Sequence, residues 1–119
     1  VAECTAAAFG AKATLSYQYM TEPVINSDEQ LNRIAQTAVT KLYGKESLIT
    51  PAPLMGSEDF SWFGKDGASY IYGFVGSHKK GTEMYSNHHE KYDVDEDILH
   101  RGAAVAAQFA ADYLAESAQ

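Results

Sequence analysis

The chain predicts an α/β fold, and three patterns carry that expectation. Residues 12–22 alternate, with Ala13, Leu15, Tyr17 and Tyr19 on one side and Lys12, Thr14, Ser16 and Gln18 on the other. That period of two is a half-buried strand. Residues 69–75 are apolar on both faces (Tyr70, Tyr72 and Phe74 against Ile71 and Val75), as in a strand inside a sheet. Leu31, Ile34, Ala35, Ala38 and Leu42 instead follow helical spacing, as do Ile98, Gly102, Val105, Ala106, Phe109, Tyr113 and Leu114. Strands interleaved with helices build a layered α/β domain.

Taken in order, residues 1–9 are Ala-rich and have no capping residue, like the tail of a helix, with Gly10 just past its end. The strand at 12–22 stops at Glu22-Pro23, where Pro23 disfavours helix in the residue before it. Ser27-Asp28-Glu29-Gln30 reads as a capping box, in which the Ser27 hydroxyl accepts from the Gln30 N–H. Gly44 closes the helix that follows. A short strand is expected at 48–50, a loop with one helical turn at 51–63, the buried strand at 69–75 and a polar loop at 78–87. Asp93, Asp95, Glu96 and Asp97 place negative charge at the start of the last helix, where the dipole favours it, and Asp95 is the expected N-cap. The break at 22–27 divides the chain into 1–24 and 25–119. A helix tail and one strand do not make a domain, so 1–24 is expected to complete a unit outside this chain.

At 119 residues and 45% hydrophobic content the chain suits one ordinary core and is not disordered by composition. A net charge of −7 argues against non-specific nucleic-acid binding and against attraction to anionic membranes. No apolar run reaches the length of a membrane-spanning helix. The lone cysteine, Cys4, cannot form an internal disulfide and is expected to be a packed helix thiol in a reducing, cytoplasmic setting. The first residue is Val1 rather than Met, consistent with a processed or cropped chain.

Two segments carry chemistry. Met55-Gly56-Ser57-Glu58-Asp59-Phe60 is an acidic loop hinged on glycine and running into aromatics. His88-His89-Glu90-Lys91-Tyr92-Asp93-Val94-Asp95-Glu96 sets a histidine shortly before an acidic helix start. A neutral imidazole held by a stiff backbone is a metal ligand. From the residues alone, either histidine of the pair could serve, or both could be polar loop residues. Ser57 has no histidine–aspartate arrangement nearby in sequence, which sets aside a serine hydrolase.

Jointly the two segments resemble the C-terminal part of the dinuclear-metal amidohydrolases, the group of hippurate, indole-acetyl-amino-acid and aminobenzoyl-glutamate hydrolases related to aminoacylases and carboxypeptidase-type metallopeptidases. The resemblance runs over nearly the whole chain. His88, Tyr92, Asp93, Val94, Asp95 and Glu96 match in register, which selects His88 rather than His89 as the ligand. Glu90 stands where many relatives have Pro, and Glu90-Lys91 is closer to the aminobenzoyl-glutamate branch.

The resemblance implies a zinc-peptidase-like α/β catalytic domain whose C-terminal part is 25–119. Residues 1–24 would be the last helix and strand of an α+β lid that mediates homodimerisation. Gly56, Ser57, Glu58 and Asp59 would lie near the metal centre. There Gly56 would allow close backbone approach to substrate, and Glu58 or Asp59 would either orient metal ligands by hydrogen bonds or serve as structural carboxylates.

The implied reaction is cleavage of the amide of an N-acyl amino acid by water activated on two divalent ions, Zn or Mn, with Co or Ni as further options. His88 is the single ligand supplied here. The remaining ligands and the glutamate general base belong to an N-terminal portion of the same protein, so no catalytic residue lies in this chain. The alternative is a non-catalytic relative that keeps the scaffold for assembly.

Overall fold

A computed structural model describes residues 1–118 and contains three α-helices: α1 (Ala2–Ala8), α2 (Glu29–Tyr43) and α3 (Leu99–Ser117). Short 3₁₀ segments occupy Lys45–Ser47, Asp59–Gly64 and Glu96–Ile98. Among the described residues no β-strand forms, and 12–22, 48–50 and 69–75 have no regular secondary structure. A strand exists only through its neighbour's N–H and C=O groups. Among the described residues those segments find no partner strand.

The organising contact is α2 against α3. Leu31, Ile34 and Ala38 of α2 are the buried apolar residues, with Ile34 at 1% exposure. The helices run antiparallel, because Arg33 early in α2 meets Glu116 late in α3 and Tyr43 at the end of α2 lies under Arg101 at the start of α3. The Arg33 guanidinium donates to both carboxylate oxygens of Glu116, at 2.9 and 2.8 Å. Lys41 Nζ donates to Asp112 Oδ1 at 2.7 Å, and the Gln108 amide donates to the same oxygen at 2.9 Å. Of the stripe expected on α3, Ile98, Gly102, Val105 and Phe109 are half-buried, whereas Ala106, Tyr113 and Leu114 are exposed. The cover comes from α2 and, at Gly102, from Val75.

The caps refine the expected boundaries. Asp28, not Ser27, caps α2: its Oδ1 accepts from the Leu31 N–H at 3.0 Å. A full carboxylate answers the positive helix end better than a hydroxyl one residue earlier. Asp95 caps the 3₁₀ turn that leads into α3, accepting from the Asp97 N–H at 3.2 Å. Gly44, with φ 84°, ends α2 in a conformation that penalises any side chain. Cys4 is exposed rather than packed, because α1 meets no other helical element.

The three carboxyls of this framework set its response to acid. The Lys41 ammonium lowers the Asp112 pKa, the Arg33 guanidinium lowers that of Glu116, and the Leu31 N–H followed by the Ser69 hydroxyl lowers that of Asp28. Each group binds its proton less readily when folded than when unfolded. Their stabilisation is therefore complete above the unfolded carboxyl values of about 4 and drains away as pH falls through the lower folded values. Helicity measured against urea is expected to hold between pH 8 and pH 6 and to fall off below about pH 4. Because the pairs are solvent-exposed, salt should shrink the difference.

The molecule is extended, with a radius of gyration of 20.4 Å, where a compact chain of this length has about 13–14 Å. Its accessible surface is 10130 Å², against about 6,300 Å² for a folded monomer of this mass. Leu15, Tyr17, Tyr19, Met20, Ile49 and Leu54 all stand in solvent. Among the described residues no helix is long and apolar enough to cross a membrane.

Candidate functional site

The acidic loop reaches the folded part of the chain through Phe60. Its ring lies 5.0 Å from Phe63, 5.5 Å from Tyr70 and 5.2 Å from Tyr72, and Tyr72 in turn meets Phe74 edge-on at 5.4 Å. This aromatic cluster anchors the 3₁₀ segment Asp59–Gly64, in which Ser61 is buried with no hydrogen-bond partner for its Oγ among the described residues. Gly56, Ser57, Glu58 and Asp59 are all exposed ahead of the anchor. A Cβ at Gly56 would meet nothing within 4 Å in this chain. Glu58 takes the N-cap position without capping; its Oε2 instead accepts from the Tyr72 hydroxyl at 3.3 Å. Partial burial, and then the Glu58 charge, hold the Tyr72 phenol above its ordinary pKa, so it stays a donor.

His88 stands in a chain of turns. The His89 N–H donates to the Ser86 carbonyl at 3.1 Å, and the Tyr92 N–H donates to the His89 carbonyl at 2.9 Å. His88 is the third residue of the first turn, with φ 70°, and it alone among the described non-glycine residues has positive φ. Glycine is the residue that such a turn position prefers.

The two adjacent histidines differ sharply. His89 stacks on Tyr85 at 4.6 Å, and its Nδ1 accepts from the Lys91 N–H at 3.1 Å. His88 is exposed, and its ring makes no hydrogen bond within the described residues. The turn is tied to the helix start through Tyr92, whose hydroxyl lies 3.1 Å from Ser77 Oγ, and through the Asp95 N–H, which donates to the Ser77 carbonyl at 2.8 Å. An open concavity of about 500 Å³ beside this loop is walled by His78, Tyr85, Lys91, Asp93 and Asp95, but not by His88.

Among the described residues no three His, Cys, Asp or Glu side chains converge to hold a metal ion. The exposed imidazole of His88 suits one position in a coordination sphere, but the donors for a whole sphere are not gathered here. Nor does a hydrogen bond or ion pair join the His88 turn to the Glu58 loop within the described residues. Two further residues shape the site without a signal in sequence: Tyr72, which holds Glu58, and Asn26, which holds Tyr72. Asn26 lies 46 residues from Tyr72 and looks like an ordinary turn residue before a helix.

The sequence profile of peptidase family M20/M25/M40 matches residues 5–112, and the chain belongs to that family. Peptidases of this family generally depend on divalent metal. The chain is 34% identical to the IAA-amino acid hydrolase ILR1-like 2 of Arabidopsis thaliana, over 81% of this chain and 21% of that protein. It is 30% identical to the putative amidohydrolase YhaA of Bacillus subtilis (strain 168), over 87% of this chain and 26% of that protein. To the thermostable carboxypeptidase 2 of Saccharolobus solfataricus it is 31% identical, over 86% of this chain and 25% of that protein. The chain thus spans about a fifth to a quarter of the length of these relatives. No solved structure matches it significantly.

Proposed function

We propose that this chain is the C-terminal portion of a metal-dependent amidohydrolase that cleaves the C–N amide bond of N-acyl amino acids, aryl-acyl ones included. The observation that carries the reading is His88: an exposed, unengaged imidazole on a turn whose backbone favours glycine. Unusual backbone conformations of this kind gather at functional sites. The names of the relatives, an IAA-amino acid hydrolase and an amidohydrolase, point to the same bond type.

In this reading His88 gives one nitrogen to a divalent ion, Zn or Mn, while the other ligands and the general base come from residues outside the chain. Gly56 and Ser57 keep the loop low and open for substrate, and the Glu58 and Asp59 carboxylates orient their neighbours by hydrogen bonds. Residues 25–119 complete an α/β catalytic domain, in which 69–75 becomes a strand once partners lie beside it, and 12–22 becomes a strand of the lid in the same way. Residues 1–24 end a lid through which two copies pair. The excess accessible surface supports such a completion.

The test is hydrolysis by the full-length protein of hippurate, p-aminobenzoyl-glutamate and indole-acetyl-alanine, before and after chelation. Turnover that chelation lowers by more than about 100-fold and that Zn²⁺ or Mn²⁺ restores is the expected result. Turnover indifferent to chelation, or none on any of the three, would overturn the proposal.

A further inference from the structure

We propose that Asn26 and Tyr72 are positioning residues for Glu58, forming a relay that transmits the placement of α2 to the acidic loop. The inference rests on the reading above, in which residues 56–59 serve the hydrolytic site.

The relay begins on α2. The Asn32 amide donates to the carbonyl of Asn26 and to that of Asp28, both at 2.8 Å, which fixes the approach to the helix. The Asn26 side chain then engages both the N–H and the carbonyl of Tyr72. Its Nδ2 donates to the Tyr72 carbonyl at 2.8 Å, and its Oδ1 accepts from the Tyr72 N–H at 2.8 Å. This is the pair of bonds that a neighbouring strand would make, supplied here by one primary amide; only an amide offers donor and acceptor side by side.

Beside it the Ile25 N–H donates to the Tyr70 hydroxyl at 3.0 Å, giving the latch a second point. With its backbone so held and its ring packed on Phe60 and Phe74, Tyr72 directs its hydroxyl to Glu58 Oε2. At 3.3 Å the bond is long. Bonds of this kind tighten when substrate completes a site. Glu58 Oε1 takes no hydrogen bond within the described residues, so the relay restrains one oxygen and leaves the other for the site.

The experiment uses the full-length protein with hippurate as probe substrate, and ¹³Cζ-tyrosine labelling to read Tyr72 directly. Tyr72→Phe keeps the ring and its packing and removes only the oxygen. It should lower kcat about tenfold, with KM changed by less than about twofold and Tm unaltered. Asn26→Ala should lower kcat to a similar extent. The double variant should be no worse than the poorer single one, because the two act in series. Glu58→Gln should shift the Tyr72 ζ-carbon resonance in the otherwise native protein and leave it unmoved in the Asn26→Ala background.

A Tyr72 resonance indifferent to Glu58→Gln, or a Tyr72→Phe variant with native kcat, overturns the relay. A resonance that responds as expected in a protein that hydrolyses none of the N-acyl amino acids named above supports the relay and overturns the hydrolase reading instead.

Discussion

In the complete protein, His88→Ala is expected to lower hydrolysis of an N-acyl amino acid by more than about 100-fold. Altering groups that merely orient metal ligands costs about 10- to 100-fold, and removing a ligand should exceed that. His88→Gly should be equally inactive yet more stable than His88→Ala by about 1 kcal/mol, since at φ 70° glycine is unstrained and alanine is not. The pair separates two roles of one residue, the imidazole that the site uses and the backbone that the turn would give to glycine. His89→Ala is the control, because His89 is engaged with Tyr85 and Lys91. It should retain activity within a few-fold. Loss of activity in His89→Ala with a normal His88→Ala would move the ligand by one residue. Equal stability of the alanine and glycine variants at 88 would show that the turn is not left-handed in solution.

The 119-residue chain by itself is expected to turn over no N-acyl amino acid and to bind no Zn²⁺ at micromolar concentration. A zinc site takes about three or four protein ligands, and no three candidate donors converge among the described residues. The same chain should bind a hydrophobic dye strongly and scatter with a radius of gyration close to 20.4 Å. The reason is the roughly 3,800 Å² of surface beyond that of a folded monomer of its mass. Exposed apolar patches larger than the roughly 300–600 Å² that an ordinary monomer carries mark interaction surfaces. Adding the remainder of the protein should quench the dye signal and restore turnover together. Turnover by the chain alone, or a compact chain of about 13–14 Å that ignores the dye, would sink both this expectation and the completion on which it rests.

How much was legible in the residues differs from element to element. Of the five apolar residues that follow helical spacing in α2, Leu31, Ile34 and Ala38 are buried, whereas Ala35 is half-buried and Leu42 is exposed. Gly44 marked the end of that helix, a local preference of a single residue. Asp95, expected as the N-cap of the last helix, instead caps the 3₁₀ turn Glu96–Ile98 ahead of it, and α3 itself begins at Leu99. The cap of α2 fell one residue away, at Asp28, where Ser27 and Asp28 compete and charge decides. Cys4 was expected to be packed and is exposed, since packing needs a second surface that α1 does not meet. The alternation over 12–22 describes which side chains would share a face, but it provides no neighbouring strand.

The site divides in the same way. The residues at 55–60 and 88–96 pointed to the chemistry only through their joint resemblance to the amidohydrolases, and the family match extends over 5–112. Sequence placed the helices to within a few residues of their ends, because spacing and caps depend on residues close together in the chain. The residues alone left both His88 and His89 open, and only the family register selected His88 as the candidate ligand. The tertiary structure decided the left-handed turn under His88, the separate engagement of His89, and the Asn26–Tyr72–Glu58 path. Those depend on hydrogen bonds between groups up to 46 residues apart, and on backbone geometry that is set only when the turns close.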